Sequence, residues 1–232
     1  MLLKINFHLH TSEDPKHFLH YSLFQAIDKA NKLGFNVLAI TCHEKFVCKK
    51  EHIEYAYKKN ILLIPGIEAK IEGKDVLILN CNKQAENIKT FSQLKDYKKK
   101  NKKIFIIAPH PYLSDFSQVS LQKKLAEYID LFDALELTIY CNKYFNFNKK
   151  ALASANKYNK PIIANSDTHF LKHFEKGYFF VEVEKKETDL IFKAIKMKKN
   201  TNTIKSMNFF EMFIFRVYCI IEKPFVFLKN HY

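Results

Sequence analysis

The chain contains only four glycines, Gly34, Gly66, Gly73 and Gly177, and they are scattered. A glycine-rich phosphate loop of the Walker or dinucleotide type cannot be built from them, so any phosphate chemistry must rest on other groups. Arg216 is the single arginine, and bidentate arginine clamps on phosphate are therefore nearly absent. The five cysteines, Cys42, Cys48, Cys81, Cys141 and Cys219, are odd in number and form no CxxC pair. They imply neither a disulfide framework nor a zinc ribbon and fit a reducing cytoplasm. The N-terminal MLLKINFHLH has no long apolar core and no small-residue cleavage site, so no signal peptide is read. No long uncharged apolar run occurs either. The most apolar stretch, residues 207–228, carries Glu211, Arg216, Glu222 and Lys223 and is interrupted by Pro224, whereas a membrane-spanning helix needs about 20 nearly uncharged residues. Residues 203–228 are expected to form a helical segment packed on the rest of the chain. Membrane contact is the minor reading of this stretch.

What is present is enough for a core. Hydrophobic residues make up 47% of the 232 positions and charged residues 27%, which excludes a disordered composition and suits a single domain over residues 1–232. The formal charge of +14 would attract nucleic acid, phosphate esters or anionic lipid. Abundant Lys, Asn, Ile and Phe can produce the same charge through composition alone, so the charge does not by itself name a partner.

Apolar runs and turn signals alternate along the chain. Strands are expected over residues 3–10, 37–41, 61–64, 69–71, 75–80, 104–108, 134–138, 161–165 and 179–183, and helices over 21–33, 51–60, 91–103, 121–129, 148–158 and 189–198. Strand followed by helix, repeated about seven times, is the pattern of a parallel barrel or a doubly wound sheet. The candidate metal ligands follow the strands. The first strand ends in His8-Leu9-His10, a later one in Thr41-Cys42-His43, the next leads to Glu68, another to His110, and the last of the set ends in Ser166-Asp167-Thr168-His169. In a parallel barrel those strand ends converge on one face. Residues two apart on a strand share a side, so His8 with His10, and Asp167 with His169, can serve one metal or two adjacent ones. Glu68 can bridge two ions. Imidazole and carboxylate donors suit Zn²⁺, Mn²⁺ or Fe²⁺. His17, His20, His52, His173 and His231 lack such placement and read as surface or helix residues. No serine or cysteine triad is recognisable.

The pieces NFHLHTSEDP, LGFNVLAITCHEKF, LLIPGIEAKIEGKDVLIL, IIAPHP and IIANSDTHF, running from residue 6 to about residue 170, resemble the PHP (polymerase and histidinol phosphatase) domain family. The resemblance implies an α/β fold, a distorted seven-stranded (β/α)7 TIM-like barrel, with two or three divalent metal ions (Zn, Mn or Fe) at its carboxyl-end face. It assigns His8, His10, Glu68 and Asp167 to a first metal, and Glu68 and His110 to a second. His43, His169 and Asp14 go to a third. Cys42 stands where the family often has a non-ligating aspartate, and a thiolate there could join a soft-metal site. Leu77 stands about where relatives carry a further histidine for the second metal, which puts that ion in question.

The function implied is that of a metal-dependent phosphoesterase: a metal-activated water attacks a phosphate ester, with no dedicated catalytic side chain. A phosphorylated small molecule or nucleotide is the expected substrate class, with nucleic acid a further candidate; a membrane partner is not expected, and the expected location is cytoplasmic. The competing reading is a degenerate, non-catalytic PHP metal-binding module, favoured by Leu77. Eight retained candidate ligands oppose it, because buried carboxylates and imidazoles cost stability without a cation.

Overall fold

The computed structural model describes residues 1–113, 118–142, 144 and 146–231. The strands are β1 (Leu2–Asn6), β2 (Val37–Ile40), β3 (Leu62–Ile71), β4 (Lys74–Leu79), β5 (Phe105–Ala108), β6 (Ala134–Leu137), β7 (Ile162–Ala164), β8 (Gly177–Glu182) and β9 (Asn200–Ile204). The helices are α1 (Leu23–Lys32), α2 (Lys50–Lys58), α3 (Phe91–Lys100), α4 (Lys123–Glu127), α5 (Asn148–Lys157), α6 (Thr188–Lys196), α7 (Phe209–Ile221) and α8 (Lys223–His231). All nine strands form one sheet in the order β7-β6-β5-β4-β3-β2-β1-β8-β9.

The expected α/β barrel is therefore observed with nine strands rather than seven. Two physical causes account for the difference. Residues 62–71 form one continuous strand, and the Glu72-Gly73 turn, with both residues at positive φ, folds β4 back antiparallel between β3 and β5. At the other side β8 runs antiparallel to β1, and β9 antiparallel to β8. Strand β9 has the sequence NTNTI, too polar to be read as a strand, and it replaces the start of the helix expected from residue 203. Its amides do specific work. Asn202 Oδ1 accepts from Ala164 N at 2.9 Å, and the Nδ2 groups of Asn200 and Asn202 donate to Ile162 O at 2.9 and 3.0 Å. Side chains thus take the place of a backbone ladder and satisfy the edge of β7. The result is a nearly closed barrel.

Alternation along the strands sorts the core. Leu3, Ile5, Val37, Ala39, Leu77, Leu79, Phe105, Ile107 and Phe179 point into the barrel, where Ile191, Phe192 and Ile195 of α6 pack against them. The alternate residues face outward. Leu38 and Ile40 meet Ala26 and Ile27 of α1, and Ile78 and Ile106 meet Phe91 and Leu94 of α3. Helix α1 begins at a capping box made by Ser22 and Gln25, which satisfies two of its free amides.

Just beyond the strands the chain stays extended. His10 N donates to Thr168 O and Thr168 N to His8 O, both at 3.2 Å, so the segments following β1 and β7 are paired through a Leu9–Thr168 bridge. Strand β1 ends at Asn6, short of the expected His10. His8 and His10 project from this paired extension at the carboxyl end of the barrel.

The C-terminal stretch is two helices, broken between Ile221 and Lys223, rather than one. Helix α7 turns Phe215 toward Tyr140, with ring centroids 4.9 Å apart, and Tyr218 toward Phe170 at 4.7 Å. Phe209, Phe210, Phe213, Ile220 and Ile221 on its other sides are exposed. Among the described residues no helix is long and apolar enough to cross a membrane.

Candidate metal centre

All eight residues singled out in the sequence come together at the carboxyl-end face, most of them at 5% exposure or less. His8 Nε2 lies 3.3 Å from Glu68 Oε2 and 3.3 Å from Asp167 Oδ1. His10 Nε2 lies 3.4 Å from Glu68 Oε2 and 3.1 Å from Asp167 Oδ1. His43 Nε2 is 3.1 Å from Glu68 Oε2, and His110 Nε2 is 3.3 Å from Glu68 Oε1. Glu68 is thus the centre of the cluster.

The opposite ring nitrogens are held from behind. His8 Nδ1 donates to Glu136 Oε1 at 3.0 Å. His10 Nδ1 and His43 Nδ1 both donate to Asp14 Oδ2, at 2.8 and 2.9 Å. His169 Nδ1 donates to the carbonyl of Asp167 at 3.0 Å. Four imidazoles therefore have Nδ1 occupied, leaving Nε2 directed elsewhere. This is the arrangement in which an outer carboxylate or carbonyl fixes the tautomer and orientation of a metal-ligating histidine.

Asp14 stands behind two imidazoles and is completely buried. In this geometry it orients His10 and His43. His17 lies beside the imidazoles of His169 and His43, its ring centroid 4.4 Å from that of the former and 5.1 Å from that of the latter. The reading of His17 as a surface or helix residue is corrected: its Nδ1 donates to Glu222 Oε1 at 2.6 Å, and Glu222 comes from the far end of α7, which no local spacing could reveal. His20 is exposed, whereas His52 and His173 are buried away from the cluster; His231 carries no described side chain.

Three further residues join the site without having been read from the sequence. Glu136, on β6, is 1% exposed. Besides His8 it accepts from Asn165 Nδ2 and from His110 N, both at 2.9 Å. Its signal was available as the one charge in the apolar strand ALEL. Gly177 enters the same arrangement, since a Cβ there would lie 2.1 Å from the carbonyl oxygen of Asn165. Asp75, at the start of β4, is buried beside Glu68 and His110. Leu77, two residues on, points into the barrel interior as a core residue. Cys42 is buried among apolar side chains, and burial pushes its thiol well above the usual range. It packs in the core and takes no part in the cluster.

Electrostatics follow the geometry. Burial disfavours the imidazolium forms of His8, His10 and His110, yet Glu68, Asp167, Asp14 and Glu136 outweigh it. His8 is raised, and His10 and His110 are each raised to about 9. Burial likewise opposes ionisation of Glu68 and Asp167, but the surrounding imidazoles hold both well below the usual carboxylate range. His169, buried and beside His17, is pushed down. Two of the candidate ligands have positive φ: Asp167 has φ 45° and His110 φ 29°, an uncommon region for residues with a side chain.

The residues fit divalent metal ions. His10 Nε2, Glu68 Oε1 and His169 Nε2 are buried without a hydrogen-bond partner, a costly state unless a cation meets them. Three triads each bring one ligand atom per residue within 4.8 Å of one another: His8, His10 and Glu68; Glu68, Asp75 and His110; and His10, His43 and His169.

The comparisons with known proteins agree with this geometry. A family model described as PHP-associated matches residues 145–200. No curated protein matches the chain. A two-domain Bacteroides vulgatus protein containing a predicted PHP-like metal-dependent phosphoesterase superposes with a TM-score of 0.69 at 18% identity, over 88% of this chain and 65% of that one. The fold is that of the PHP family. PsfC from Pseudomonas syringae shares it, with a TM-score of 0.63 at 10% identity over 97% and 99% of the two chains. So does a lesion-specific endonuclease from Pyrococcus furiosus, with a TM-score of 0.54 at 16% identity over 88% and 58%. The present chain thus spans 65% of the Bacteroides protein. The PHP-associated match at residues 145–200 lies largely downstream of the motifs that carry the resemblance, which end near residue 170.

Proposed function

We propose that the chain is a metal-dependent phosphoesterase that hydrolyses a phosphorylated small molecule or nucleotide. The observation that carries this reading is the set of imidazoles fixed at Nδ1, with Nε2 atoms gathered around Glu68 and Asp167. His8, His10, Glu68 and Asp167 would hold one ion, His110 with Glu68 a second, and His43 with His169 a third, His17 being the neighbour that completes it. Divalent ions bound there supply Lewis acidity toward phosphoryl oxygens and an activated water.

The chain's own residues do the rest. A cavity of about 660 Å³ opens at the cluster. Lys16, Lys70 and Arg216 line it and place positive charge where a phosphoryl group would sit. Tyr140, Phe147, Met212 and Phe215 form an apolar wall suited to the organic part of a small ester. Glu136 and Asp14 keep His8, His10 and His43 in one tautomer and orientation.

The test is metal content of anaerobically purified protein together with hydrolysis of p-nitrophenyl phosphate and a 5′-phosphorylated oligonucleotide, beside Asp167→Ala. Two or more metals per chain and turnover lost in the variant are expected. Turnover of the oligonucleotide alone would move the substrate to nucleic-acid ends. Bound metal without turnover of either substrate would leave the non-catalytic module.

A further inference from the structure

The second metal position poses a specific problem. In the cluster so far, only Glu68 and His110 serve it, and Leu77 cannot. Leu77 pairs in register with Glu68 across the β3–β4 hairpin and is buried in the barrel core. Side chains alternate along a strand, so the residue two positions before Leu77 points to the same side. Because β4 runs antiparallel to β3, that residue lies one pleat nearer the carboxyl-end face. It is Asp75, in register with Lys70.

Asp75 is 4% exposed, Glu68 1% and His110 5%. One ligand atom from each lies within 4.8 Å of the others. Glu68 Oε1, which faces His110, is buried and has no hydrogen-bond partner. Two buried carboxylates thus stand side by side: Lys70 ion-pairs with Asp75, while Glu68 is faced by imidazoles that leave its Oε1 without a hydrogen bond. Unpaired buried carboxylates are costly and are met in proteins by cations.

Resting on the metal-holding reading above, we propose that Asp75 is the third protein ligand of the second ion and takes the place of the imidazole missing at Leu77. The donor set is then two carboxylates and one imidazole, against the imidazole group of the third position, where His17 lies beside His43 and His169. Carboxylate oxygen suits Mn²⁺ and imidazole suits Zn²⁺, so the second position favours Mn²⁺ and the imidazole group Zn²⁺. On loading, Asp75 exchanges Lys70 for the ion, and the freed Lys70 ammonium, which already lines the cavity, faces the substrate's anion.

The test reads metal rather than turnover. Metal-stripped wild type, Asp75→Asn, Asp75→His and Lys70→Met are titrated with Mn²⁺ and with Zn²⁺ by calorimetry, and the bound ions counted by elemental analysis. Asp75→Asn is expected to lose one equivalent of Mn²⁺, or to bind it at least tenfold more weakly, while keeping the Zn²⁺ of the imidazole group. Asp75→His is expected to recover that equivalent with preference moved toward Zn²⁺. Lys70→Met is expected to keep it, which separates a ligand from a mere partner of Lys70. Full Mn²⁺ binding by Asp75→Asn, or the same loss in Lys70→Met, overturns the proposal. Should Asp75→Asn fail to fold, an Asp75→His protein with unchanged ion preference overturns it as well. A wild type that binds no ion overturns this proposal and the functional reading together. A wild type that binds ions through Asp75 but hydrolyses no phosphate ester overturns only the functional reading.

Discussion

His17 Nδ1 donates to Glu222 Oε1 at 2.6 Å, joining the loop after β1 to the last turn of α7 across most of the sequence. The second oxygen of Glu222 accepts from Phe18 N at 2.9 Å, and Glu222 is 4% exposed. One carboxylate therefore fastens the C-terminal helix to the rim of the metal centre and sets the orientation of His17. Hydrogen bonds to a charged group contribute about 1.5–3 kcal/mol. Glu222→Ala should accordingly lower the melting temperature by roughly 3–12 °C for a chain of this size, with the His17 imidazole resonances shifting in NMR. An unchanged melting curve would show that α7 is held by its apolar contacts and by the bonds of Tyr218 to Phe18 and of Glu211 to Lys176.

Glu136 holds His8 from behind while being held itself by Asn165 and the amide of His110. Removing such an outer partner typically costs 10–100-fold in metal affinity. Glu136→Gln, which keeps size and loses charge, should weaken the ion shared by His8, His10, Glu68 and Asp167 by about that factor, measured by competition with a chelator of known affinity. Equal affinity in wild type and variant would assign Glu136 to packing only.

How much of this was legible depended on how local each signal is. Seven of the eight candidate ligands could be read because each follows an apolar strand, and a barrel gathers strand ends on one face; Asp14 came from the family resemblance alone. Glu68, His110 and Asp167 arrive where that rule places them. Strand β9 could not be read, since NTNTI contains a single apolar residue; its asparagines close the barrel through side-chain amides, a tertiary role with no local pattern. His17 was missed for a related reason, its partner Glu222 lying 205 positions away. Asp75 belongs to no motif of its own, and only alternation along β4 connects it with Leu77. Asp14 was legible as part of the site, but only the fold shows it behind His10 and His43 rather than in front.

The metal-free protein should be sensitive to alkaline pH. His10 and His110 are raised from 6.5 to about 9 in the folded state: burial opposes the charge, and the carboxylates of Asp14, Asp167 and Glu68 outweigh it. A raised folded-state value gives stability that is fully present below the unfolded value, near 6.5, and lost as pH rises through about 9. Thermal melts of chelator-treated protein should therefore drop between pH 6.5 and 9. Melts of protein loaded with divalent metal should not, because the ion replaces those protons and binding releases them. Parallel curves with and without metal would show that protons and metal do not compete at these imidazoles.

Arg216 is the chain's only arginine, and α7 carries it to the cavity at the metal centre. No carboxylate pairs with it among the described residues, unlike Lys70, which is held by Asp75, and Lys16, which lies 3.0 Å from Glu44. Among the described residues it is thus the cation in the cavity with no carboxylate to displace before it meets an anion. A planar guanidinium grips a phosphoryl group through two parallel hydrogen bonds, which a lysine ammonium cannot reproduce. Charge-assisted bonds of about 1.5–3 kcal/mol correspond to roughly 10–100-fold in kcat/KM. Arg216→Gln should lose that much toward p-nitrophenyl phosphate, mainly through KM, with metal content unchanged. Arg216→Lys should recover only part of it. Because the residue sits on α7, removing the chain after residue 206 should reproduce the Arg216→Gln defect and add the instability expected from losing Glu222. Wild-type kinetics in Arg216→Gln would mean that the ions alone bind the phosphoryl group, and that α7 contributes the apolar wall of the cavity without touching the anion.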